Sequence, residues 1–239
     1  GDENTMVGAD AGNNGSRNVG VGFQALVSNN ADHNVAIGWN SMIVSLVNGD
    51  NTAVGYQALR NVHGGFNIAL GSGAGTGSTL AGSSNNIYIG NAGVNESGAI
   101  RIGTLGTHTT CFIQGISGVV TGLPAVAVLV DANGQLGTIS STRKVKHNIH
   151  DIAHDSDAIY NLRPVSFVYN GDATETKQYG LIAEEVEEVF PGMVVYDRDG
   201  QPFTVQYHVL PVLLLNELKK QQVMFEDMND RLIVLQQQN

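Results

Sequence analysis

Cysteine occurs once in the chain, at Cys111, which excludes an intrachain disulfide framework and any metal site built from several cysteines. Thr109, Thr110, Phe112 and Ile113 flank it in a strand-like run. A small buried residue is therefore expected there, because a reactive thiolate needs cationic neighbours that this run lacks. Lysine is missing from the first 140 residues, and charged residues make up only 14% of the chain. With a formal net charge of −10 there is no basic stripe to displace counterions from phosphates, which argues against nucleic-acid binding and against adhesion to anionic membranes. No apolar run approaches the ~20 residues that span a bilayer, and no signal-peptide pattern is visible. The chain opens inside a repeat, so it is expected to be a piece of a longer protein whose export signal lies upstream.

Glycine is abundant and unevenly spread. Of 30 glycines, 26 precede residue 141, along with many Asn, Ser and Thr, whereas all lysines and most carboxylates follow it. So abrupt a change marks a domain boundary near Ser140–Ser141.

The first half is a repeat array. Its core is Asn, two residues, a branched aliphatic residue and Gly, as in Asn4…Val7-Gly8, Asn18…Val21-Gly22, Asn34…Ile37-Gly38, Asn51…Val54-Gly55, Asn67…Leu70-Gly71 and Asn86…Ile89-Gly90. Three copies continue alike, through Phe23-Gln24-Ala25-Leu26, Trp39-Asn40-Ser41-Met42 and Tyr56-Gln57-Ala58-Leu59. Successive asparagines are 14 to 19 residues apart. Each copy predicts a short strand, with Thr52 and Val54 on the face opposite Asn51 and Ala53, and then a glycine turning at positive φ. A coil this short cannot bury its own apolar face, but stacked coils bury it jointly, as a parallel β-roll or solenoid. Asparagines in register can form a ladder along the stack. One apolar side stays open, where Phe23, Trp39 and Tyr56 recur, and threefold association would cover it. The Asn-Thr-Ala-Val-Gly-Tyr-Gln-Ala-Leu segment at 51–59 resembles the head repeats of trimeric autotransporter adhesins. Over about residues 4–90 that resemblance implies left-handed parallel β-rolls packed as trimers.

The glycine run 71–77 lacks the Lys-Ser/Thr and following helix of a phosphate-cradling loop and reads as a turn in the fifth repeat. Beyond it, Ala125–Val130 and Gln135–Ile139 flank Asp131-Ala132-Asn133-Gly134, a hairpin signal.

After the hairpin comes Ser140-Ser141-Thr142-Arg143-Lys144-Val145-Lys146-His147. Farther on are Leu162-Arg163-Pro164-Val165-Ser166-Phe167, Gln178-Tyr179-Gly180-Leu181-Ile182-Ala183-Glu184-Glu185-Val186, Phe190-Pro191, Val205-Gln206-Tyr207 and Leu213-Leu214-Leu215-Asn216-Glu217-Leu218. Across nearly all of 141–239 these segments resemble the C-terminal intramolecular chaperone of endosialidases and phage tail spikes and fibres. The resemblance implies a trimerising domain that helps the upstream β structure fold and then releases itself with a Ser-Lys dyad, carried here by Ser141 and Lys146. The places that often hold an acidic residue and an arginine after the serine carry Thr142 and Lys144.

The chemistry is sound in itself. A serine hydroxyl needs a base, and lysine serves only when neutral; desolvation and the nearby cations Arg143, Lys144 and His147 act in that direction. Ser141 attacking the Ser140 carbonyl passes through a five-membered ring, which places the cut at Ser140–Ser141, with the bond after Ser141 as the alternative. By spacing alone a Ser and a Lys five apart mean nothing. His147, His150 and His154 read as a solvated helix start rather than zinc ligands, and Asp197-Arg198-Asp199-Gly200 reads as a hairpin turn rather than a calcium loop. Ile182–Val189 reads as an amphipathic helix stopped by Pro191-Gly192. The ladder Leu214, Leu218, Gln221, Phe225, Met228, Leu232, Leu235 steps alternately by four and three, the seam of a coiled coil with one polar layer at Gln221.

The expected architecture is thus a mainly β, left-handed parallel β-roll over 1–98, a β neck over 99–140, and a small α+β chaperone and self-cleaving peptidase domain over 141–239, with a trimeric coiled coil from about 212. The expected function is the terminal segment of a homotrimeric surface or virion tail fibre, extracellular or on the cell surface, with no cofactor, no metal, no nucleic-acid partner and no membrane insertion in this segment. The alternative is an adhesin whose repeats bind host cells or glycans, through loop residues such as Asn29, Asn30 or His63, beneath a trimer cap that never cuts. A true hydrolase would need paired catalytic carboxylates in a cleft, which the repeat half does not offer.

Overall fold

The computed structural model describes residues 3–237 except 13, 46–48, 80, 81 and 123. They form two compact units, Gly1–Val119 and Val120–Asn239. Each asparagine–glycine core in the first unit becomes a three-residue strand followed by a sharp turn. The strands are β1 (Thr5–Val7), β2 (Val19–Val21), β3 (Ser28–Asn29), β4 (Val35–Ile37), β5 (Val44–Ser45), β6 (Thr52–Val54), β7 (Ile68–Leu70), β8 (Ile87–Ile89) and β9 (Ile100–Ile102). β3 pairs with β5 as a separate two-stranded sheet, while the other seven make one parallel sheet in the order β1-β2-β4-β6-β7-β8-β9. The stack is therefore a parallel β-solenoid in which each coil gives one strand to the main sheet, and it continues through Ile102.

Register places equivalent residues above one another. Ala36 lies on Ala53, Ala53 on Ala69 and Ala69 on Tyr88, and all four are buried. The opposite wall of the core is supplied by Leu26, Met42 and Leu59, also fully buried; each contributes about 2–3 kcal/mol of burial. The strand residues flanking the alanines point the other way, so the β-branched residues expected on one face do share it, and that face is the outer one. Phe23, Trp39 and Tyr56 continue the outer surface as a stack, with ring centroids 6.1 Å and 5.0 Å apart and planes inclined by 14° and 1°.

The glycines are required twice over. At Gly38 the backbone has φ +137°, and a Cβ would sit 2.3 Å from the carbonyl oxygen of Gly55 in the next coil. An L side chain is excluded there by conformation and by space.

The second unit begins with a hairpin, β10 (Val128–Val130) and β11 (Leu136–Thr138). There follow a 3-10 turn at Arg143–Val145, a 3-10 segment at Asp155–Asn161, β12 (Val165–Phe167), β13 (Gln178–Gly180), α1 (Ala183–Val189), β14 (Val194–Tyr196), β15 (Pro202–Val205) and α2 (Leu210–Gln237). β12 pairs antiparallel with β13, and β14 with β15. Val186, Met193, Val194, Val205 and Leu213 form a small core, against which Ile159, Leu162 and Phe190 pack.

The strand expected around Cys111 does not form. Cys111 is exposed and lies in no strand. A strand needs a partner to take its hydrogen bonds, and no described residue between 104 and 127 is in a strand.

Candidate active site

Ser141 sits three residues past the end of β11, which closes at Thr138. Thr142 caps the next turn, its Oγ1 accepting from the amide of Lys144 at 3.4 Å, and Lys146 closes it by donating its own amide to the Arg143 carbonyl at 3.3 Å. The turn folds the chain back, so that Lys146 Nζ lies 3.1 Å from Ser141 Oγ, donating to it. Two side chains five residues apart are thereby brought into hydrogen-bond contact, and both are exposed. A hydroxyl bonded to an amine can lose its proton to that amine when the amine is neutral.

The separated downstream motifs converge on one scaffold. Arg163 forms a two-pronged ion pair with Glu185 of α1, its Nε donating to Oε2 at 3.0 Å, and this pair holds the Glu185 carboxyl below its ordinary pKa. Tyr207, just past β15, receives the Leu181 amide on its hydroxyl at 2.7 Å. A Cβ at residue 180 would come 2.7 Å from the same oxygen, which explains the glycine there.

A polar cluster that sequence reasoning missed pins α2 to the 3-10 segment Asp155–Asn161. Fully buried Ser156 donates to Glu217 Oε1, Asn216 Nδ2 donates to Ser156 Oγ at 2.7 Å, and Lys220 Nζ bonds Glu217 at 2.7 Å and Asp157 at 2.5 Å. Lys220 is also 3.2 Å from Ser156 Oγ, so the unit holds a second Ser–Lys contact. Its electrostatics oppose catalysis. Hydrogen bonds to Asp157 and Glu217 raise the Lys220 pKa, which keeps the ammonium charged, and Ser156 is closed to solvent. The signal available in sequence was the polar pair Asn216 and Glu217 inside an otherwise leucine-rich helix start.

The pin turns Leu213 inward and leaves Leu214, Leu218, Phe225, Met228, Leu232 and Leu235 exposed. Gln221, expected as a polar layer among them, donates to the Tyr160 hydroxyl at 2.9 Å. His154 contacts Asp157 at 3.2 Å, and Asp197–Gly200 is the turn between β14 and β15. Of the loop residues named for an adhesin, Asn30 is exposed and His63 half-buried. Asn29 is fully buried, its Oδ1 accepting from the Ala31 amide at 2.7 Å, so it serves the coil rather than a ligand.

Residues 141–195 match the family described as chaperone of endosialidase. The match begins on Ser141 and runs through the Arg163–Glu185 scaffold into β14. That match supports the intramolecular-chaperone resemblance over residues 141–195. No curated protein and no solved structure matches it significantly. Among the described residues, no helix is long and apolar enough to cross a membrane.

Proposed function

We propose that the chain is the terminal segment of a homotrimeric fibre, on a cell surface or a virion tail, whose chaperone domain drives trimerisation and folding of the β-solenoid and then cuts itself free at Ser141. The observation that carries the reading is the 3.1 Å contact between Lys146 Nζ and Ser141 Oγ, at the first residue of the matched family segment.

The reaction balances within the chain and one water. Neutral Lys146 takes the Ser141 hydroxyl proton as Oγ bonds to the Ser140 carbonyl carbon. The Ser140–Ser141 C–N bond breaks, the proton passes to the departing amide nitrogen, and an ester links Ser140 to Oγ. Water then hydrolyses that ester, leaving a carboxylate on Ser140 and restoring the Ser141 hydroxyl. The reaction runs once, on its own chain. Burial of Lys146 between assembling chains would favour its neutral form, so that cutting follows correct folding.

Threefold association is supported by the outward apolar columns. Ile37, Ile68, Leu70, Ile100 and Ile102 are exposed in the single chain, as are the aromatic stack and the leucine seam of α2. A continuous apolar surface on every coil calls for a partner with the same repeat, and a second and third copy supply it. The test is self-cleavage of the wild type beside Ser141→Ala and Lys146→Ala, with oligomeric state measured by sedimentation. A stable trimer that never cuts would instead mark the domain as a permanent cap.

A further inference from the structure

Two hairpins in the second unit share one turn sequence. Asp131-Ala132-Asn133-Gly134-Gln135 joins β10 to β11, and Asp197-Arg198-Asp199-Gly200-Gln201 joins β14 to β15. In both, the first aspartate accepts from the amides two and four residues on. Asp131 Oδ1 receives Asn133 at 2.8 Å and Gln135 at 2.9 Å, while Asp197 Oδ1 receives Asp199 at 2.9 Å and Gln201 at 2.8 Å. Only the second position differs in kind, alanine in one and arginine in the other. Arg198 reaches from its own turn to the tip of the other hairpin, where Nη2 donates to the Asn133 carbonyl at 3.2 Å and Nε to the Ala132 carbonyl at 3.4 Å.

We propose that Arg198 is a positioning residue for the self-cleavage described above, clasping the hairpin that carries the upstream side of the Ser140–Ser141 bond onto the chaperone domain. The inference rests on that reading of Ser141. β11 ends at Thr138, two residues before the bond, and the capped turn at Arg143–Val145 begins two residues after it. The short stretch between is therefore held from both ends, and fixing those ends narrows the backbone angles that Oγ needs to approach the carbonyl. The hairpin has little else to hold it, since Val128, Val130 and Leu136 are all exposed. A planar fork of donors suits two consecutive carbonyls, whereas a lysine ammonium would engage them as a point charge. The proposed cut also falls inside the second compact unit, which starts at Val120. Breaking the bond leaves the hairpin attached until the clasp opens.

The test uses the full chain carrying Arg198→Ala or Arg198→Lys, each with Ser141 intact and with Ser141→Ala. In the Ser141→Ala background, which needs no cleavage, amide exchange across Val128–Thr138 should rise about tenfold on loss of Arg198. With Ser141 intact, cleavage followed by intact mass should slow by a similar factor, with an unchanged pH profile. Millimolar guanidinium should restore the rate to Arg198→Ala, which a folding defect would not allow, and Arg198→Lys should remain slow. Unchanged exchange would show that no clasp exists. Faster exchange with an unaltered cleavage rate would remove the positioning role. An uncut wild type whose hairpin exchange still responds to Arg198 would overturn the self-cleavage reading, and the positioning role with it, while leaving the clasp as a structural tie.

Discussion

Asn51 closes its own coil and holds the next one: its Nδ2 donates to the Gly64 carbonyl at 3.0 Å, while its Oδ1 accepts the backbone amide of Asn67 at 3.0 Å. The same amide-to-Oδ1 bond joins Asn4 to Asn18, Asn18 to Asn34, Asn34 to Asn51 and Asn67 to Asn86, over 2.7–3.1 Å. Asn51 is fully buried, so removing its side chain strands a carbonyl and an amide away from water. Asn51→Ala should cost about 2–4 kcal/mol, read as a lower urea midpoint for the solenoid. Asn51→Asp keeps an acceptor but loses the donor and buries a charge, and should be worse at pH 7 than in mild acid.

Gly38→Ala should prevent correct stacking rather than weaken it slightly. The new Cβ meets a backbone carbonyl at 2.3 Å with φ at +137°, and neither can relax without moving the next coil. Loss of the folded solenoid by circular dichroism and protease resistance is expected; a folded variant within 1 kcal/mol (roughly, the ordinary Gly→Ala range) would contradict this account.

The outer apolar columns make a separate prediction. Ile68 and Leu70 are 45% and 49% exposed in the single chain, so Ile68→Asp with Leu70→Asp should barely alter an isolated coil. In the proposed trimer the same pair of charges would fall in the interface, and sedimentation should show a shift from trimer to monomer.

The cluster anchoring α2 gives the pH dependence. Hydrogen bonding to Lys220 first, and then to Ser156, depresses the Glu217 pKa, and Lys220 likewise depresses that of Asp157, with a smaller contribution from His154. A carboxylate whose pKa is lowered by folding contributes stability that is present above its ordinary pKa and lost as pH falls through the depressed value. Melting of the second unit should therefore drop in acid, below the ordinary carboxylate range, with Glu217→Gln flattening that slope and lowering stability at neutral pH.

What the sequence made legible follows from where one residue type alone is tolerated. Asparagine and glycine recur because the ladder and the crowded turn admit nothing else, so the repeat, its strands and its stacking could be read directly. The facing of the strands runs against hydrophobicity. The coil is wide enough for Ala36 or Ala53 opposite a leucine or methionine, and the larger Val, Ile and Leu residues are left outside. Cys111 misled because its neighbours favour a strand, while pairing, which local propensity does not contain, decides whether one forms. At the site, Ser141 and Lys146 could be named from the family resemblance, but only the 3-10 turn brings them together. The Arg198 clasp and the Ser156–Glu217 pin join residues more than sixty positions apart, beyond the reach of any local pattern.

The most direct test is intact mass and denaturing electrophoresis of freshly expressed wild type, Ser141→Ala and Lys146→Ala, with their native oligomeric state measured in parallel. The account predicts that the trimeric wild type splits at Ser140–Ser141 while both variants assemble and stay whole. Three intact trimers would contradict it and leave the second unit as a permanent cap.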